Sequence, residues 1–225
     1  MNNFITCNNC GSENNFYSLN CKKCASYLRP RIVNLDFWPL FWNMFESPST
    51  TFKNIVHAEH KNFLTLILLL SAIKFSVNKN FVADLIYSGE YTANFSTPIN
   101  ILFFILLIIS GSLLFKYAGQ TFGLETRFKD NLACLTYSNT PTVLSLFVLT
   151  PIQIALFGFY WFTFNPSPVL IKPTAAYLLL SVDMIMVIWS MINLFVGFYT
   201  QSKSKVISLV FVIIIISAQF LFILL

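Results

Sequence analysis

Hydrophobic and polar positions divide this chain into two unequal parts. From Lys61 to Leu225, five apolar runs alternate with short polar loops, while the first 60 residues are largely polar. A bilayer core about 30 Å thick is crossed by roughly 20 apolar residues in a helix. The runs approach that length, and the pattern predicts spans over Phe63 to Val77, Ile99 to Ala118, Leu135 to Phe164, Thr174 to Tyr199 and Val206 to Leu225. The first run is short, with Lys61 and Lys74 flanking it where they could snorkel. The third is interrupted by Pro141 and Pro151, breaks that neighbouring helices absorb in membrane bundles.

Ahead of the spans, Trp38, Phe41, Trp42 and Phe45 fall at helical spacing i, i+3, i+4, i+7. An aromatic face of this kind suits either a helix in the headgroup zone or one packed on the bundle. Ser47-Pro48 reads as a helix start, with serine at the N-cap and proline at the first helical position. Phe52, Ile55 and Val56 supply its apolar face. His57 and His60 are read as solvated polar residues at the membrane edge. The expected organisation is an N-terminal module over residues 1–30, a linker with interfacial amphipathic helices over 31–60, and a five-span body over 61–225. The fold class is an all-α polytopic membrane protein with five transmembrane helices.

Composition supports this. The chain is 56 % hydrophobic and 10 % charged, with a mean hydropathy of +0.68, outside the range of soluble domains. The net charge of +5 includes no basic tract, which argues against nucleic-acid binding. Placement of the cations is more informative. Lys22, Lys23, Arg29, Arg31, Lys53, Lys61, Lys116, Arg127, Lys129, Lys203 and Lys205 fall on one side, and Lys74, Lys79 and Lys172 on the other. By the positive-inside rule this puts the N-terminus in the cytosol and the C-terminus on the opposite side. The N-terminus lacks an apolar leader with a cleavage site, so the first span is expected to serve as an uncleaved anchor.

Four of the five cysteines form two C-x-x-C pairs, Cys7 with Cys10 and Cys21 with Cys24. Each pair can place two thiolates on one tight turn, and two such turns face to face complete the tetrahedral S4 site that Zn(II) prefers. Disulfide pairing is the competing reading, disfavoured in a reducing cytosol. All four positions would be filled by protein, so the zinc would be structural and would supply folding energy to a segment too small for its own core. The residues resemble the short zinc-ribbon modules at the N-termini of many bacterial membrane proteins, with Cys10-Gly11 in the usual place and Ala25 where glycine is usual. Cys134 stands alone and is read as a small buried apolar residue.

From Ser47-Pro48-Ser49-Thr50-Thr51-Phe52-Lys53-Asn54-Ile55 onward the chain resembles the Yip-domain (Ypt/Rab-interacting protein) family of five-span membrane proteins. Pro48, Phe52 and Ile55 match the pre-membrane motif of bacterial members. Gly123 and Tyr137-Ser-Asn-Thr-Pro141 resemble the loop and entry to the third span, and Trp189, Gly197 and Ser202-Lys203 fit the end of the fourth. The resemblance covers about residue 45 to 225 and implies a bacterial cytoplasmic (inner) membrane. Eukaryotic members are implicated in vesicle traffic and Rab GTPase binding, and fold-level likeness does not carry that binding over.

Asp183 is an acidic residue well inside a span, roughly 14 Å from Thr174 at the helical rise. An ionisable group at that depth faces the bundle or a wet cavity. Gln153, Gln219 and Lys74 fall in the same half of the membrane and are its candidate partners. The site reads either as a proton or ion relay or as a hydrogen-bonded packing element. The loop Gly119 to Asn131, holding Glu125, Arg127, Lys129 and Asp130, reads as a solvated turn or as a docking surface for a partner or anionic headgroups. No phosphate loop, nucleophile elbow or His-Glu-x-x-His pair is present. The expected function is a non-enzymatic scaffold or trafficking-type protein whose cytosolic zinc ribbon contacts a protein partner. The alternative is a small transporter or channel using Asp183. The lipid bilayer is the obligatory partner, and self-association into an oligomer is compatible with the apolar spans.

Overall fold

The computed structural model describes residues 4–86 and 96–224. Two short antiparallel strands, β1 (Phe4–Thr6) and β2 (Glu13–Asn15), pair in the register Phe4 to Asn15 and Thr6 to Glu13. The remaining regular structure is helical: α1 (Phe37–Glu46), α2 (Pro48–His57), α3 (Leu64–Ile86), α4 (Ser96–Thr121), α5 (Phe128–Tyr137), α6 (Thr140–Phe157), α7 (Tyr160–Thr163), α8 (Pro168–Ile171), α9 (Pro173–Ser202) and α10 (Lys205–Leu224). Among the described residues, five segments are long and apolar enough to cross a membrane: α3, α4, the α5–α6 run from Phe128 to Phe157, α9 and α10. The protein is an integral, multi-pass membrane protein, and its outward Leu, Ile, Val and Phe side chains meet lipid acyl chains.

Two spans differ from expectation. The first does not stop at Val77 but continues to Ile86, a helix of 23 residues. Lys74, Lys79, Asn80 and Asp84 are all buried on it. They lower the mean hydropathy that marks a span, yet they face protein, where polar groups can be satisfied. Lys74 is accordingly not a snorkelling flank; it sits mid-helix with no solvent exposure. The third span starts earlier, at Phe128, and ends at Phe157, where Gly158 adopts a φ of +58° and closes the helix. Residues 160–163 form a separate turn. Pro141 lies in the first turn of α6, where its missing N–H costs nothing, so only Pro151 is interior. The second, fourth and fifth spans match their expected runs to within a few residues, with Leu225 outside the described residues.

The aromatic stripe of α1 is split between two environments. Phe41 is buried with Leu40 and Met44, whereas Trp38 and Trp42 are among the most exposed large side chains. Phe41 is therefore turned into the protein, while the exposed tryptophans suit the headgroup zone. Ser47 ends α1 by donating its N–H to Asn43 O at 2.8 Å and begins α2, whose first residue is Pro48. The expected hydroxyl cap is not made, because closing α1 gives Ser47 a backbone (φ −143°, ψ 64°) unlike that of an ordinary N-cap. Lys61 serves the other end of α2: its ammonium donates to the carbonyls of Ile55, Val56 (3.2 Å) and Ala58 (2.8 Å), where the helix dipole favours a cation.

One buried cluster joins Phe16 and Tyr17 of the N-terminal module to Met44, Phe52, Ile55, Cys134 and Tyr137 of the body. Phe52 also lies against Gly197 of α9: a Cβ there would sit 3.1 Å from the Phe52 ring, so glycine permits the close approach. Cys134 is fully buried, as expected.

Candidate metal centre and intramembrane polar cluster

The two knuckles are built alike. In the first, Gly11 N–H donates to Cys7 O (2.9 Å) and Cys7 N–H to Ser12 O (3.0 Å); in the second, Ala25 N–H donates to Cys21 O (3.0 Å) and Cys21 N–H to Ser26 O (2.9 Å). The residue after each second cysteine is left-handed, Gly11 at φ +68° and Ala25 at φ +58°. The second turn thus keeps the geometry of the first without glycine. The four sulfurs lie within 4.8 Å of one another, with Cys7 to Cys24 and Cys10 to Cys21 both at 3.6 Å. That exceeds the ~2.05 Å of a disulfide and is close to the ~3.8 Å edge of a tetrahedron with ~2.3 Å metal–sulfur bonds. The cysteines are free thiols whose arrangement fits a tetrahedral metal ion.

Two serines complete the centre. Ser12 Oγ lies 3.0 Å from Cys10 Sγ and 3.1 Å from Cys21 Sγ, and Ser26 Oγ lies 3.0 Å from Cys24 Sγ and 3.2 Å from Cys7 Sγ. Each hydroxyl can donate across the two knuckles, and the Ser12 contact holds the Cys21 thiol down to about 5. Sequence reading passed over them, although both pairs run Cys-x-x-Cys-(Gly/Ala)-Ser.

The module is seated on the body. Arg29 donates to Tyr17 O at 3.0 Å and reaches His57 O at 3.5 Å, Arg127 stacks over the Tyr17 ring at 4.2 Å, and Asn15 donates to Glu125. Lys61 forms an ion pair with the buried Asp130 at 2.9 Å. The 119–131 loop is thus partly built into the protein: Leu124, Thr126, Asp130 and Asn131 are buried, and the exposed Glu125 and Arg127 contact the N-terminal module. His57 is likewise not at an open membrane edge. Its ring packs on Phe16 with centroids 4.8 Å apart, and burial, reinforced by Arg29, pushes its pKa down to about 4. His60 is exposed.

In the bundle, α3, α6 and α9 bring together four polar side chains. Lys74 Nζ lies 2.9 Å from Asp183 Oδ1 and 3.1 Å from Oδ2, Ser145 donates to Oδ1 at 2.6 Å, and Gln153 donates to Oδ2 at 3.0 Å. Lys74 is fully buried and Asp183 nearly so. Gln219 of α10 lines a neighbouring cavity of about 210 Å³ and makes no hydrogen bond to Asp183. Ser145 went unremarked in the sequence, although it lies eight residues before Gln153 and so shares its helix face. Two further buried polar contacts involve α3: Asn100 of α4 donates to Asn80 at 3.0 Å, and Asp84 accepts from Ser167, the N-cap of α8.

No curated protein and no solved structure is matched by the chain. The Yip1 domain family model matches residues 42–225, beginning within α1 and taking in all five spans. The chain belongs to the Yip1 domain family of multi-pass membrane proteins.

Proposed function

We propose that this protein is a non-enzymatic membrane scaffold of trafficking type, in which a zinc-stapled ribbon at residues 1–30 is presented in the cytosol to a protein partner. The observation that carries this reading is the four-sulfur arrangement of Cys7, Cys10, Cys21 and Cys24. Four thiolates saturate a tetrahedral Zn(II), leave no position for a reactive water, and make the metal a folding element. Residues 31–60 act as the seat, and residues 61–225 as the five-span body. The exposed ribbon carries Tyr27, 78 % accessible, and Phe4 on the strand pair. Both suit a protein contact.

The cation distribution supports a cytosolic N-terminus with the C-terminus on the opposite side, and the resemblance to bacterial members supports a bacterial inner membrane. With Lys74 and Lys79 inside α3, the cations counted on the far side reduce to Lys172. Asp183 is a packing element. Its carboxylate is occupied by Lys74, Ser145 and Gln153, so neither oxygen is free for a passing ion. Crosslinking and affinity purification of the full chain beside a Cys10→Ser/Cys24→Ser variant tests the reading. The expected result is a partner set lost with the variant while membrane insertion is kept. Identical partners in both, or a solute flux abolished by Asp183→Asn, would contradict it.

A further inference from the structure

A crevice of about 300 Å³ runs between the ribbon and the body. Tyr17 and Arg29 line it from the N-terminal module, His57 and Lys61 from behind α2, and Arg127 and Lys129 from the start of α5. Five cations and two carboxylates stand on its walls. Arg31 is paired with Glu59 at 2.8 Å and Lys61 with Asp130 at 2.9 Å. Arg29, Arg127 and Lys129 have no ion-pair partner among the described residues. Arg29 and Arg127 are close enough to repel: burial first, and then Arg127, lower the Arg29 pKa. The Arg29 Nε is buried without a hydrogen-bond partner. The first turn of α5 adds the positive end of a ten-residue helix dipole.

Like charges crowded around a buried, unpaired guanidinium N–H are stable when an anion bridges them, and guanidinium forks match tetrahedral oxyanions. We propose that this crevice binds a phosphate-bearing anion, a phosphomonoester or phosphodiester group, held by Arg29, Arg127 and Lys129. A lipid headgroup of the adjacent leaflet and a soluble phosphate compound share this chemistry. Binding spans ribbon and body, so it strengthens the seating of the module. The inference goes beyond the scaffold reading and requires only that the ribbon be seated.

The test uses the full-length, metal-loaded protein in phosphatidylcholine nanodiscs, with the thermal unfolding midpoint followed as inorganic phosphate is added. Sodium chloride at matched ionic strength is the control, and a second set of discs contains phosphatidylglycerol. A midpoint raised by phosphate beyond the chloride control identifies a soluble source. A midpoint already raised in the phosphatidylglycerol discs, with no further effect of phosphate, identifies the headgroup. In either case Arg127→Gln/Lys129→Gln should weaken binding about tenfold or more. Lys129→Gln alone, an exposed residue outside the ribbon contacts, should weaken it in the same direction if Arg127→Gln loosens the ribbon. No shift beyond chloride in either disc, or the same shift in the variants, overturns the proposal.

Discussion

Lys74 of α3 and Asp183 of α9 meet at 2.9 Å in the interior of the bundle, with neither side chain open to solvent. The pair joins two helices that otherwise meet mainly through α6, which contributes Ser145 and Gln153 to the same carboxylate. Removing one member leaves an uncompensated charge in a low-dielectric interior, which costs far more than the pair itself contributes. Lys74→Met should destabilise the protein by about 3 kcal/mol, and Lys74→Met/Asp183→Leu should recover much of that loss. Unfolding midpoints in detergent, read as a double-mutant cycle, check this; additive losses would show that the two residues are not coupled.

Ala25 holds a left-handed backbone that favours glycine, as Gly11 does in the matching turn. Ala25→Gly should stabilise the ribbon, and Gly11→Ala should weaken it, each by about 1 kcal/mol. Resistance to a competing chelator measures both, with opposite signs expected.

Gly197 is set by the Phe52 ring, with Cys134 Cβ as the next neighbour at 3.4 Å. Gly197→Ala should cost on the order of 1–3 kcal/mol by overpacking. A Phe52→Leu change in the same chain should relieve part of the loss. Thermal unfolding of the single and double variants tests the contact.

His57 gives the seating of the ribbon a pH dependence. Its folded pKa lies below its unfolded value of 6.5, at about 4, because burial and the nearby Arg29, Lys61 and Lys203 disfavour the cation. The unfolded or unseated state therefore binds more protons between those values. The contribution is fully present above pH 6.5 and is lost as pH falls toward 4. Protease protection of residues 17–32 should fall over that window, and His57→Gln should flatten the component due to this side chain. An unchanged profile in His57→Gln would remove the histidine from the account.

Much of the architecture is legible in the chain because a helical rise of 1.5 Å per residue converts apolar length directly into membrane thickness. The same rise puts Lys74 and Gln153 in the same half of the membrane as Asp183, and both contact it. Gln219 met the same criterion and makes no such bond, because depth says nothing about which way a helix is turned. Hydropathy stopped the first span at Val77 because an average over a window cannot separate a lipid face from a protein face; Asn80 and Asp84 are polar yet face neighbours. The C-x-x-C spacing exposed the cysteine cluster, and the repeated serine after each knuckle was available in the same pattern. The seating of the ribbon was hidden. Arg127 over Tyr17 and Asn15 with Glu125 join residues more than a hundred positions apart, and no local periodicity encodes such pairs.

Metal content of the purified full-length protein tests the central claim most directly. Elemental mass spectrometry of protein prepared without added metal should find about one zinc ion per chain, as a saturated S4 site requires. Cys10→Ser/Cys24→Ser should lose it while remaining in the membrane. Intact protein without zinc, with Cys7, Cys10, Cys21 and Cys24 recovered as disulfides, would contradict the account.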